Sequence, residues 1–205
     1  MSLARRRQLL ALARRWGSWI IEDDYDSEFR FSGRPISSLQ GLEPDAPVIY
    51  LGTFSKTLYP GLRVGYLVLP KNLAAPFQAG HAELYREGHL MMHAALATFI
   101  ADGHYSAHIR RMRMLYGRRR AILTNLIERR LGAGWLHRDS SDAGLHLVLT
   151  LPDDLDDTVV VDVARARGVL TRPCRVTTLE PSLRGRACCW VTPVCPKARL
   201  PVNSR

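Results

Sequence analysis

No apolar run in this 205-residue chain approaches the ~20 residues that span a bilayer as a helix, so a membrane is not expected as a partner. A secretory leader is not expected from these residues either. The opening "MSLARRRQLLALARRWG" has Arg14 and Arg15 inside its apolar stretch and no small-residue cleavage site, and reads as a cytoplasmic helix. The seven histidines show no metal-ligand spacing. His89 and His93 stand four apart, but without the glutamate of a zinc-protease helix they read as helix surface or packing. Internal repeats and low-complexity tracts are absent, which excludes solenoids and tethers. Cysteine is scarce and oddly placed: three of four, Cys188, Cys189 and Cys195, crowd the last 18 residues with no usual metal or disulfide spacing. Acids are short too, 19 against 29 Lys and Arg, giving a net charge of +10.

That imbalance leaves a basic nucleic-acid-binding module open as a competing function. No zinc-finger spacing or aromatic-interleaved RNA motif accompanies it, however. The arginines fall mostly on helix patterns (Arg5 to Arg7, Arg14, Arg15, Arg110, Arg111, Arg113, Arg118 to Arg120), which suits solvated helix faces. A hydrophobic content of 46% with 23% charge describes a globular chain, long enough for one ordinary domain or two small ones.

Periodicity alternates helix and strand. Ser2 caps a helix to about Trp16, with Leu3, Leu10 and Ala13 inward and Gly17 as the stop. "SWII" (18–21) reads as a buried strand ending at the acidic cluster "EDDYD". "VIYLG" (48–52) and "VGYLVL" (64–69) read as short strands buried on both faces. Two long amphipathic helices are expected over 81–103 and 104–132. A strand (144–152), a helix (154–168) and a short strand (169–172) follow.

Two chemically loaded loops therefore follow buried strands. One is "EDDYD"; the other lies in "GTFSKTLYPGLRVGY" (52–66). In open α/β sheets, ligands sit outside the carboxyl ends of the strands, so parallel neighbours would bring both loops to one site. Hydroxyls (Thr53, Ser55) with a guanidinium (Arg63) suit a phosphate, whose oxygens match arginine's fork. An amine beside cations (Lys56) suits an imine, and a carboxylate (Asp23) suits a protonated ring nitrogen. A phosphate, an aldehyde and a pyridinium together describe pyridoxal 5′-phosphate, PLP. Taken alone, Asp23 could cap the next turn and Tyr25 could be core.

"IIEDDYDSEFRFSGRPISSLQGL" followed by "VIYLGTFSKTLYPGLRVGYLVLP" resembles the aminotransferase-like half of the MocR/GabR group of GntR-type bacterial regulators. The resemblance continues through "ADGHYSAHIRRMRMLYGRRRAIL" and "GLHLVLTLP", covering residues 1 to about 187. It implies an α/β fold: part of a fold-type I PLP-dependent transferase (aspartate aminotransferase-like) large domain over 1–100, then an α+β small domain over 101–205. It also implies roles. Lys56 would form the Schiff base and shuttle protons, Asp23 would pair with the pyridine nitrogen, and Tyr25 would hydrogen-bond the phenolic oxygen. Thr53, Ser55 and Arg63 would hold the phosphate. Asp24 receives no role, and Arg34 either lies near the site mouth or pairs with Asp26 or Glu28. The implied ligand is an amino acid or amine, bound with or without turnover. The implied parent is a homodimer in the cytoplasm that meets DNA only through a winged-helix domain not found in this chain.

The family's Gly-rich phosphate loop and ring-stacking aromatic are not in these residues either, so the chain reads as a C-terminal fragment expected to be catalytically inactive alone. Its tail, 188–205, shows no strand alternation or helix period, and a non-native, out-of-frame origin accounts for that. Read one base back, the codons from Cys188 onward can spell Leu-Leu-Leu-Gly-Tyr-Ala-Gly-Leu-Pro-Glu: a strand, a turn and a helix start. DNA sequencing across codons 184 to 205 tests this, with polar nonsense or a stop in the shifted frame as the refuting outcome.

Overall fold

The computed structural model describes residues 1–31, 37–86, 88–136, 144–152, 154–173 and 188–191. Arg34, Cys195 and the remainder of the tail lie outside them. Helix α1 (Leu3–Arg15) begins as expected: the Ser2 hydroxyl accepts the Arg5 amide at 3.4 Å, satisfying one of the donors that a first turn leaves unpaired. Gly17 stops it at φ 58°, in the left-handed region that glycine tolerates best. Leu10 is fully buried against Leu39, Ala46 and Val48, and Ala13 is nearly buried too. Leu3, expected inward, is instead 51% exposed, because this core reaches only the second half of the helix.

Strands β1 (Ile20–Asp24), β2 (Val48–Thr53) and β3 (Gly65–Val68) form one sheet in that order. β1 and β2 are parallel; β2 and β3 are antiparallel. β1 differs from the expectation for 18–21. It starts later and runs through Glu22, Asp23 and Asp24, which pair with Tyr50, Leu51 and Gly52. Ladder hydrogen bonding is indifferent to side-chain charge, so a parallel neighbour can draw an acidic run into a strand when alternate side chains find polar surroundings.

Burial on both faces does not hold either. The pleat places Ile20, Glu22, Asp24, Val48, Tyr50 and Gly52 on one face, where α1 and the segment around Leu39 cover the Val48 end. The opposite face carries Ile21, Asp23, Leu51 and Leu67. There Ile21 is 69% and Leu67 46% exposed, and every residue of β3 is exposed. An apolar run shows that a face is oily; it cannot show whether a second layer covers it.

After β2 the chain makes a four-residue helix α2 (Phe54–Thr57) and a 3-10 turn (Pro60–Leu62) before β3. The single helix expected over 81–103 is two: α3 (Lys71–Tyr85) and α4 (Leu90–Ala101). Arg86 (φ 49°) and Gly88 (φ 56°) break it, since two left-handed residues so close together cannot continue a right-handed helix. α5 (His104–Leu131) follows the Asp102–Gly103 turn. His89 and His93 lie exposed at the start of α4. No helix of the described residues is long and apolar enough to cross a membrane.

By compactness the described residues form two units, one within Met1–Ser27 and Arg34–Arg110, the other within Glu28–Gly33 and Arg111–Arg205. In the second, β4 (Leu147–Thr150), β5 (Thr171–Pro173) and β6 (Cys188–Val191) form an antiparallel sheet ordered β4-β6-β5. α6 (Asp157–Ala166) buries Val161 against Leu151, with Trp135 and Leu149 alongside. β6 corrects the expectation of no strand at the start of the tail. It is the middle strand of its sheet, and four residues are too few for alternation to show in sequence. Arg120, expected on a solvated face, is buried. It donates to the carbonyls of Gly144 and His146 and lies over the Phe31 ring at 5.4 Å.

Leu10→Ala should destabilise the fold by about 2–5 kcal/mol, the range for emptying a packed leucine site. Leu3→Ala should stay within about 0.5 kcal/mol. Urea denaturation of both variants checks the contrast.

Candidate functional site

The carboxyl ends of β1 and β2 lie side by side, with Asp23 paired to Leu51 and Asp24 to Gly52. Because the strands are parallel, the segments that leave them emerge at the same edge of the sheet. Asp23 and Thr53 share one face of this edge by the two-residue pleat; Asp24 is on the other. The structure thus separates two adjacent acids that the sequence could not tell apart by chemistry. Asp24 is engaged: it accepts the Tyr50 hydroxyl at 2.8 Å and the Ser27 amide at 3.1 Å. Asp23 is exposed.

Glu22 shares the face of Asp24 and is also engaged. It accepts the amides of Leu39 (2.9 Å) and Gln40 (3.2 Å) and pairs with Arg6 at 3.5 Å, tying the segment around Leu39 to the sheet. Arg6 is therefore another arginine with an internal role rather than a solvated one.

Thr53 ends β2 and caps α2, its Oγ1 accepting the Ser55 amide at 3.1 Å. Its own hydroxyl proton faces the Val64 carbonyl at 3.5 Å, the outer limit of a hydrogen bond. Lys56 follows, exposed, on the third residue of α2. Arg63 closes the 3-10 turn at φ 53°, left-handed backbone in a residue with a long side chain, which costs on the order of 1–3 kcal/mol. Such strain persists where the surroundings over-determine it, and the Arg63 side chain is exposed. Tyr25, just past β1, is partly exposed. Its phenol is raised above the ordinary 10.0, first by partial burial and then by the charges of Asp26 and Asp23.

Beneath this edge lies an aromatic layer that sequence reasoning missed. Tyr50 and Tyr66 are 6.1 Å apart, Tyr66 and Phe54 5.4 Å, Phe54 and Tyr105 5.7 Å. Gly52 makes room for it: a Cβ there would sit 2.2 Å from the Tyr66 ring. Tyr50 read only as a β-former in an apolar run, so nothing in the sequence distinguished it. An open groove of about 960 Å³ between β3 and α3, lined by Leu67, Val68, Phe77 and Leu84, is apolar and lies away from Lys56. No group of three or more His, Cys, Asp or Glu among the described residues could hold a metal.

The chain belongs to the aminotransferase class I and II family, matched over residues 1–194. This family depends on PLP. The chain is 43% identical over 173 residues to the probable rhizopine catabolism regulatory protein MocR of Rhizobium meliloti, covering 84% of this chain and 35% of that protein. It is 41% identical over 180 residues to the HTH-type transcriptional regulator YhdI of Bacillus subtilis, covering 88% and 38%. Among solved structures, the multiple substrate aminotransferase of Thermococcus profundus superposes with a TM-score of 0.80 at 26% identity, over 94% of this chain and 47% of that one. The chain is thus similar to the aminotransferase-like portion of MocR-type regulators and spans less than half the length of each of these proteins.

The Tyr50 phenol is driven far above its ordinary 10.0 by burial, by its hydrogen bond to Asp24 and by that carboxylate's charge, with a smaller push from Tyr66. A raised folded-state value means that the stabilisation is whole below pH 10.0 and is lost as pH climbs beyond it toward the folded value. Asp24→Asn should bring Tyr50 ionisation down toward the ordinary range and make the alkaline loss of stability shallower. Tyrosinate absorbance and denaturation midpoints against pH measure both.

Proposed function

We propose that this chain is the PLP-holding, ligand-sensing module of a MocR/GabR-type regulator, with Lys56 as the amine that links the cofactor and an amino acid or amine as ligand. The observation that carries this reading is the edge geometry: Asp23 and the Lys56 turn emerge from adjacent parallel strands, while Asp24 is committed to Tyr50 on the opposite face.

The donor set fits the group. When bound, PLP supplies an aldehyde and an electron-withdrawing ring. Asp23 is the carboxylate for the ring nitrogen, with Thr53 on the same face. Tyr25 would donate to the phenolic oxygen. Ser55, Arg63 and the Thr53 hydroxyl, whose hold on Val64 is weak, would hold the phosphate. Lys56 gives the amine and carries protons to and from its Nζ.

Sensing is favoured over turnover because identity is higher to two proteins named as regulators than to the superposed aminotransferase. On this reading DNA contact belongs to a separate winged-helix region, the assembly is a homodimer and the compartment is the cytoplasm. The rival function, direct nucleic-acid binding, loses part of its basic footprint to internal roles. Arg6 pairs with Glu22, Arg14 with Glu43, Arg113 donates to the Glu28 carbonyl, and Arg120 is buried.

Incubation with PLP, borohydride reduction and peptide mass spectrometry should find the pyridoxyl group on Lys56. Lys56→Ala should abolish that label and its absorbance with an unchanged far-UV spectrum; unchanged absorbance would exclude Lys56. Arg63→Ala should weaken retention by about 2 kcal/mol, the scale of a charge-assisted hydrogen bond. An unaltered affinity would reduce Arg63 to a turn residue. Amino acids offered to the loaded chain should react no faster than with free PLP, and measurable transamination would favour an enzyme instead.

A further inference from the structure

We infer that His108 is a positioning residue for Lys56, holding the helical turn that carries it through a hydrogen bond from imidazole Nε2 to the Thr57 carbonyl. This rests on the assignment of Lys56 proposed above. The two groups lie 3.0 Å apart, and a carbonyl only accepts, so Nε2 bears the proton. Thr57 is the last residue of α2 and is 2% exposed. Its carbonyl is one of those that a helix end leaves without an intrahelical partner, and here water has little access to it.

Four residues cannot hold a helix by themselves, since nucleation is unfavourable and only propagation repays it. α2 is therefore held from outside, and α5 grips it at both ends. One turn before His108, the Tyr105 ring meets Phe54, the first residue of α2, edge-on at 5.7 Å and 77°. The entry to α2 is fixed by the Phe54 amide donating to the Val64 carbonyl at 3.0 Å. Its exit is fixed by the Leu58 amide donating to the Phe54 carbonyl at 2.8 Å. Lys56 itself is exposed, so the place of its Nζ is decided by the orientation of the turn. Phe54 also packs on Tyr66, and through Tyr66 and Tyr50 the contacts reach Asp24 at the end of β1. Tyr105, one turn before His108 on α5, thus sits at one end of a ladder of contacts whose other end is Asp24 on β1.

The test uses the full chain with PLP and borohydride, comparing the phosphopyridoxyl label on Lys56 with that on Lys71, an exposed lysine at the start of α3 that serves as internal reference. His108→Leu should lower the Lys56-to-Lys71 ratio by about tenfold, as misplacement of a reacting group does. His108→Gln keeps an N–H donor of similar reach and should restore the ratio to near the unsubstituted value. Melting curves should show all three folded; if His108→Leu does not fold, His108→Asn, too short to reach Thr57, replaces it. An unaltered ratio in the folded Leu or Asn variant overturns the inference, as does a Gln variant no better than Leu. Should the unsubstituted chain show no preference for Lys56, the cofactor assignment fails separately. Positioning is then judged on hydrogen exchange alone, where the Phe54 and Leu58 amides should open about tenfold faster in His108→Leu and not in His108→Gln. Unchanged exchange overturns it.

Discussion

The parallel pairing of β1 with β2 is the constraint on which the rest depends. It sets Asp23 opposite Leu51 and Asp24 opposite Gly52, and so decides which side chains share a face. A slip of one residue would exchange the two acids, sending Asp24 to the face of Thr53 and Asp23 toward Tyr50. Register is pinned on the covered face. Glu22 takes the amides of Leu39 and Gln40, Asp24 takes the Tyr50 hydroxyl, and Val48 is buried with Leu10. Those contacts would all be lost together in the slipped alignment, leaving buried polar groups without partners.

The two faces of this sheet edge consequently do different work. One is a scaffold of hydrogen-bonded acids and tyrosines, with Gly52 yielding space to the Tyr66 ring. The other presents an exposed Asp23, with Thr53 half-buried at the start of the Lys56 turn. Rigid support under an exposed reactive edge is what a site needs if a cofactor is to be held by a few side chains in one orientation. The strained backbone of Arg63 belongs to the same design: left-handed geometry is tolerated because the turn around it is fixed on both sides, by Tyr59 to Leu62 hydrogen bonding and by entry into β3.

Membership of the aminotransferase class I and II family places these features in context without settling chemistry. The same fold serves a protein named for several substrates and others named as regulators. Fold alone does not choose between turnover and sensing; the site and its surroundings do.

That residues 22–24 lie inside β1 was not legible in the amino-acid sequence, but the capping of α1 by Ser2, the stop at Gly17 and the alternation of helix and strand were. They rest on local chemistry: a hydroxyl near free amides, a glycine where φ turns positive, β-branched runs that prefer extended backbone. Whether Leu3 or Leu10 faces the core was not legible, nor that Ile21 stays exposed, that 81–103 breaks in two, or that Cys188–Val191 becomes a central strand. Those depend on which surfaces meet across long sequence separations. The same holds for the roles of Tyr50 and His108, whose partners Asp24 and Thr57 lie 26 and 51 residues away. Local pattern picked out the acids and the lysine; only tertiary packing decided which acid shares a face with Thr53 and that His108 meets the Thr57 carbonyl, because hydrogen bonds between distant segments leave no periodic trace along the chain.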